Sequence, residues 1–521
     1  MLAVGRSGAA LTRFQDVLQI FANDPRVRVR YTAPPGSAHA DGTARFLGNL
    51  GAKTIRWSAA TREAHHLAVA TSANAALHRL RAPVLLLPHG AHRHKLDAGQ
   101  PYGLSPAQLI HRGRLVPAAI GLSHTDQYEI LSRSCPPALE RAVLVGDPCY
   151  DRLVAATHLA PRLRRRFNLG AGRELVVISS TWGPGSLFAT APQLPEQLLA
   201  QLPADQYALA LVLHPNIWSE YGRDQILGRW FERAVRAGLM VVPWEQGWQA
   251  ALLSADYVVG DHGSVTYYAA ALGKPVLLAA FEADGLVPDT ALTRLAQRAP
   301  RLDARGPIPA QLAAAGRDAA AGAPTEPAFS VPGRSLLVLR DLAYDLIGLT
   351  PPATVPDPPA VPEPAPYSHT PSAYRVHLEP AIGPGARGVR VQRFSVLAPG
   401  DDPHARLPRH IAADLEHPHL RHLRQAAVLY TRGPQAAPVD PEAVWGEYPG
   451  ARVLAHIDAE ACTVQLAEGP RASAVVQGVD PALVASLVYG RLSNALPGDV
   501  FDPAEIEIGR VRVPIAFTRD Q

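Results

Sequence analysis

The chain has 521 residues, a hydrophobic share of 47%, a charged share of 18% and a formal net charge of +4. That length supports about three domains, and no apolar run approaches the ~20 residues that span a bilayer. The positive charge is too dilute for a nucleic-acid surface, and the three cysteines, without CxxC spacing, give neither a disulfide framework nor a zinc site. The N-terminus lacks a signal-peptide pattern, so a cytoplasmic protein is expected, peripheral at the inner membrane face if its partner is lipid-linked. The densest basic run, Arg162 to Arg166, reads as a solvated helix face.

Met1 to Val4 reads as a strand entering the tight turn Gly5-Arg6-Ser7-Gly8, followed by a helix from Ala10 to Ala22. Two glycines are too few for a dinucleotide fingerprint. Further strands are expected at Val27 to Tyr31, Thr54 to Trp57 and Leu67 to Ala70, with a short helix from Ala44 to Leu50. Residues 82–96, APVLLLPHGAHRHKL, form a buried strand that delivers His89, Gly90, His92, Arg93, His94 and Lys95 to one end. Such a cluster suits an anionic substrate, with Arg93 and Lys95 as anion contacts. The spacing of His89, His92 and His94 has no carboxylate or cysteine to complete a zinc site, so no metal is expected. A strand over 116–122 and another from Ala142 to Val145, ending in Gly146-Asp147-Pro148-Cys149-Tyr150-Asp151, complete the first half.

A second series begins at Leu175 to Ser179, which runs into Ser180-Thr181-Trp182; Ala208 to Leu213 runs into His214-Pro215, and Met240 to Val242 precedes Trp244. The most informative stretch is 252–281, where a strand from Tyr257 to Gly260 enters Asp261-His262-Gly263-Ser264. A helix follows through Leu272, and a strand from Val276 to Ala280 comes after Gly273-Lys274-Pro275. In a parallel strand-turn-helix unit the turn sits at the carboxyl edge of the sheet, where backbone amides and the helix dipole favour phosphate. Gly263 and Ser264 let an anion approach, and His262 can add a proton or a positive charge. An ordinary helix cap is the alternative reading. The whole predicts an α/β pair of facing Rossmann-like halves, 1–150 and 151–349, the latter closed by a helix over 333–348 that crosses back to the first. A spacer over 350–372, with nine prolines between Thr350 and Pro371, is expected to be extended and open to proteolysis. Residues 373–521 read as an accessory α+β domain whose His404, His410, His417, His419 and His422 lie on a solvated surface.

The ordered motifs HGAHRHK, GDPCYDRL, VVISSTW, LVLHP and SADYVVGDHGSVTYYAAALGKPVLL, between about residues 65 and 282, resemble the CDP-glycerol glycerophosphotransferases, which build teichoic-acid-like envelope polymers on a GT-B fold. The GDHGS pattern is also similar to one in actinobacterial proteins. The resemblance implies a transferase moving a glycerol-phosphate or glycosyl unit from a nucleotide-activated donor, bound as substrate with no tightly held cofactor, to a hydroxyl acceptor on a polymer or lipid carrier. It implies His89 as general base for that hydroxyl. His214 and Ser264, with the amides around Gly263, would hold the donor pyrophosphate, in a site that includes Thr181, Asp261 and His262. The motif order is also similar to UDP-N-acetylglucosamine 2-epimerases. The chain departs from the pattern: Lys95 stands six residues after His89 instead of five, Cys149 and Gly183 replace arginines, and Asp261-His262-Gly263-Ser264 replaces Asp-Tyr-Ser-Ser. Losing two guanidiniums removes bidentate phosphate contacts, which keeps a non-catalytic nucleotide-binding or scaffold role as the alternative.

Overall fold

The computed structural model describes residues 1–36, 46–91, 95–170, 172–282, 284–321, 328–354, 356–381, 388–398, 409–433 and 439–519. Its first sheet is fully parallel. It comprises β1 (Leu2–Val4), β2 (Arg30–Thr32), β3 (Ala68–Ala70), β4 (Val84–Leu86), β5 (Ala119–Leu122) and β6 (Ala142–Leu144), ordered β6-β5-β4-β3-β1-β2. Alternation along each strand fills two cores at once. Leu2, Val4, Ala68, Ala70, Val84 and Leu86 face one layer, while Ala3, Val69, Leu85 and Leu87 face the other with Leu11, Phe14 and Val17 of the helix Gly8–Val17. Burial on both faces is why these strands are unbroken apolar runs in the sequence. The strand expected at Thr54 to Trp57 is absent: Thr54 makes a single bridge to Tyr31, and Trp57 opens the short helix Trp57–Ala60 to bury its indole. Of the helix expected at Ala44 to Leu50, residues 46–49 are helical.

The second sheet repeats the scheme with β7 (Glu174–Ser180), β8 (Tyr207–Leu213), β9 (Met240–Val242), β10 (Tyr257–Gly260) and β11 (Val276–Leu278), all parallel in the order β9-β8-β7-β10-β11. The helix Ser335–Ile347 returns to the first unit, where Leu336, Leu339, Ala343 and Tyr344 join the core containing Leu11 and Phe14. No side chain of its own caps this helix, so Asp151 does so from afar, accepting from Gly333 N at 2.7 Å and Ser335 N at 2.9 Å. Gly146 makes room for the returning chain: its φ is +68°, and an added Cβ would stand 2.4 Å from the Ser330 carbonyl. The result is a GT-B-like pair of Rossmann-type units. Among the described residues, no helix is long and apolar enough to cross a membrane.

The proline-rich segment is irregular, as its composition dictates, but it is not a loose tether. Arg152 donates to the carbonyls of Pro359 and Ala360, Arg162 and Arg166 pair with Glu363, Tyr367 bridges to Val241, and Val361 is buried in the second unit. The basic run is a solvated face, as read, and from it Arg162 and Arg166 reach Glu363 of this strap. Beyond it lies a third, ten-stranded mixed sheet, whose strand Gly388–Ser395 packs on the second unit. Arg393 from that strand is buried between Asp205, at 2.5 Å, and Asp480, at 2.8 Å. Because contacts beyond the strap hold the parts together, a protease cut within it is expected to leave the two fragments co-eluting in size-exclusion chromatography without denaturant. Separation would show these contacts to be too weak to hold.

The third unit overturns one expectation. His410, His417 and His422 are buried, not solvated; His404 lies outside the described residues. His410 meets Ser486 at 3.0 Å, and His417 links Ser372 at 2.7 Å to His422 at 2.8 Å. Burial lowers His410 to about 3 and His422 to about 4, with neighbouring histidines adding to the effect. Both folded values lie below the unfolded ~6.5, so the unfolded chain binds more protons. The stability they contribute is full above that value and lost as pH falls toward 4. Thermal unfolding of this unit is expected to drop across that window, and replacing His410 with glutamine should flatten the dependence.

Candidate functional site

The two parallel sheets present their carboxyl edges to one cleft of about 560 Å³. From the first unit come His89, Gly90 and Ala91 after β4, together with Arg13 and Lys95; from the second come Thr181 and Trp182 after β7, His214 after β8, Trp244 after β9, and His262, Gly263 and Ser264 after β10. The units touch here. Gly8 lies where a Cβ would be 2.6 Å from the Trp244 ring, and Ala91 N donates to Ser264 Oγ at 3.1 Å. The segment beginning at Lys95 also pairs with the second unit, through Leu96 N to Gly285 O at 2.9 Å.

Each side chain from the second unit has a definite state. His214 caps the helix Pro215–Gln225 by accepting from Asn216 N on Nδ1 at 3.1 Å. A backbone amide can only donate, so the neutral ring carries its proton on Nε2 and presents a donor. The helix Ser264–Ala271 has no side-chain cap, and its start at Gly263 and Ser264 lines the cleft. Its first-turn amides therefore supply the partial positive charge of a helix N-terminus. Ser264 accepts from Ala91 and keeps its own hydroxyl proton to donate. Gly263 is small for a reason: a Cβ would lie 3.0 Å from Asp261 Oδ1 and 3.2 Å from Thr181 Cβ.

Two sequence readings are corrected. Asp261 does not face a ligand: it is wholly buried and accepts from the amides of Thr181, Leu187 and Gly263 at 2.9 Å each and from Ser180 Oγ at 3.2 Å. It stitches the loops after β7 and β10 together, and burial raises its pKa against the pull of those amides. His262 does not bring a positive charge. Burial, reinforced by Lys95, lowers it to about 4, so it is neutral near pH 7, and its buried Nδ1 has no partner among the described residues. Lys95 is exposed as a residue, yet desolvation lowers its pKa while Asp261 opposes the shift. His89 is exposed and meets the Tyr102 ring edge-on at 6.0 Å. His92, Arg93 and His94 lie outside the described residues, and among the described residues no three His, Cys, Asp or Glu side chains form a metal site.

Sequence reasoning missed the buried ion pairs beside the cleft. Arg13 binds Asp147 through both guanidinium nitrogens, at 2.9 and 3.0 Å, and Asp16 binds Arg152 at 2.8 Å. Asp147 also accepts from Tyr268 Oη at 3.0 Å, so residues of both units meet on one carboxylate. The available signal was Asp147-Pro148, an N-cap followed by proline at the first helical position. Its partner, 134 residues away, left no local trace.

No protein-family model and no curated protein matches the chain. Solved structures do. One variant of the wall teichoic acid polymerase TagF is 14% identical, with a TM-score of 0.42, covering 67% of this chain and 88% of that one. HepE of Anabaena in complex with UDP-glucose is 14% identical, with a TM-score of 0.40, covering 67% of this chain and 97% of that one.

Proposed function

We propose that the protein is a transferase that moves a glycerol-phosphate or glycosyl unit from a nucleotide-activated donor to a hydroxyl acceptor. The observation that carries this reading is the division of labour in the cleft. A histidine at a strand end of the first unit faces donors of the second: His214 Nε2, Ser264 Oγ and the uncapped amides after Gly263. Those donors suit the donor's pyrophosphate. His89 accepts the acceptor's hydroxyl proton as the oxygen attacks. With a glycerol-phosphate donor the new bond is oxygen to phosphorus and a nucleoside monophosphate leaves; with a glycosyl donor the anomeric carbon–oxygen bond breaks and a nucleoside diphosphate leaves. The family resemblance of the motifs favours the first. The test is a panel of nucleotide-activated donors, scored by thermal shift and then by nucleotide release that depends on added acceptor. No release with any donor would refute the reading.

A second reading, nucleotide binding without turnover, has one observation behind it: Cys149 and Gly183 stand at positions of family arginines, and the nearby Arg13 is committed to Asp147. Donor that binds but never turns over would favour it. Under either reading, His214→Asn is expected to weaken donor binding by about 1.5 to 3 kcal/mol. Asparagine keeps the helix cap but removes the ring donor, so a folded variant with unchanged nucleotide affinity would place the donor elsewhere.

A further inference from the structure

Among the described residues, the exposed large hydrophobic side chains include two aromatics, Trp182 at 44% and Trp230 at 41%. They flank the two ends of the helix Pro215–Gln225. Trp182 lines the cleft and tilts toward His214, the N-cap of that helix, with ring centroids 6.1 Å apart. Two turns on, roughly 10 Å along the axis, Tyr221 meets the Trp230 ring at 5.5 Å, and buried Phe188 backs Trp230 at 4.9 Å. The backbone here departs from a plain helix. Gly222, with φ +72° and ψ 163°, interrupts it in a conformation that favours glycine. A π-helical turn follows, in which Phe231 N donates to the Ile226 carbonyl at 3.0 Å; it buries Ile226 and leaves Trp230 outside. Such turns are frequent at functional sites. The surroundings limit what could dock. The exposed charges between 220 and 230 are Glu220, Arg223, Asp224 and Arg229, two of each sign, so a polyanion or an anionic membrane gains no net attraction. No aliphatic side chain between 219 and 231 is exposed, whereas a protein interface is built around an apolar core. Ring faces rimmed by carboxylates and guanidiniums fit a neutral saccharide, whose C–H face meets the electron-rich ring face while its hydroxyls reach the rim.

We propose that this strip, from Trp182 to Trp230, binds sugar rings of the acceptor, so that the molecule whose hydroxyl reaches His89 is a saccharide chain extending over the second unit. The assignment to the acceptor rests on the transferase reading above; the binding itself does not. The test is calorimetric titration of the full chain with cellohexaose and maltohexaose, neutral glucose chains of two linkages, and with glucose. Saturable binding of at least one hexasaccharide is expected, about tenfold or more tighter than glucose because several rings are held at once. Trp230→Ala should weaken it about tenfold or more, Trp230→Phe should restore most of the loss, and Val475→Ser, at an exposed residue of the third unit, should leave it unchanged. Trp230 is exposed, so its variants should fold, which melting curves would check. Independently of Trp230→Ala, the indole N–H signal of Trp230, assigned by its absence from Trp230→Phe, should shift as the bound hexasaccharide is added to the parent. No saturable binding of either hexasaccharide, or binding that Trp230→Ala leaves intact, would overturn the proposal. So would a concentration-dependent dimer abolished by Trp230→Ala, which would give the patch to a second copy. Failure of the transferase reading shows separately, as absent nucleotide release.

Discussion

Replacing His89 with alanine is expected to lower turnover by ~10²-fold or more, the usual size of a general-base effect, with donor affinity nearly intact. The expectation follows from comparing the three cleft histidines. His262 is held near 4 by burial and Lys95, which makes it a weak base at neutral pH. His214 has committed Nδ1 to a helix cap and carries its proton on the other nitrogen. His89 stands on the opposite unit from the candidate pyrophosphate donors, exposed beside Tyr102, where an acceptor can reach it. Its removal should therefore act on kcat and leave nucleotide binding to the second unit. Single-turnover measurement with saturating donor separates the two effects. A variant that turns over at the parent rate would make His89 structural.

The strand ends were legible because parallel strands buried on both faces are short apolar runs that stop where the polar residues begin. His89, His214 and His262 could be placed from that alone. Roles were less legible than positions. Asp261 and Ser264 are three residues apart in one turn, yet the carboxylate points back to the amides of Thr181 and Leu187 while the hydroxyl points across to Ala91. That choice depends on a strand eighty residues earlier in the chain. The anchoring of the strap was illegible for a similar reason. Its prolines forbid helix and sheet, but whether an extended segment is free depends on partners such as Arg152 and Arg162, which its own composition does not name. His410 had a local clue, since it falls on the inward phase of the strand Arg409–Asp414 with Ala412; His417 and His422 had none.

Asp147→Ala is expected to be among the most destabilising single changes in the first unit. The wholly buried carboxylate has five donors: both terminal nitrogens of Arg13, the amides of Cys149 and Tyr150 at 2.8 and 3.0 Å, and the Tyr268 hydroxyl. Removing it strands a guanidinium that is 4% exposed and uncaps the helix Pro148–Ala155. Breaking a buried pair from one side costs about 3 to 5 kcal/mol, because the remaining charge stays buried without compensation. The exposed pair Arg133–Glu129, at 3.8 Å with both side chains more than three-quarters accessible, is the control: Glu129→Ala should change stability by less than about 1 kcal/mol. Urea unfolding followed by fluorescence would compare them. The double variant Arg13→Met with Asp147→Leu should recover part of the loss, since it removes the stranded charge as well as its partner. If Asp147→Ala unfolds at the same urea concentration as the parent, Arg13 has found other compensation and this carboxylate does not hold the two units together.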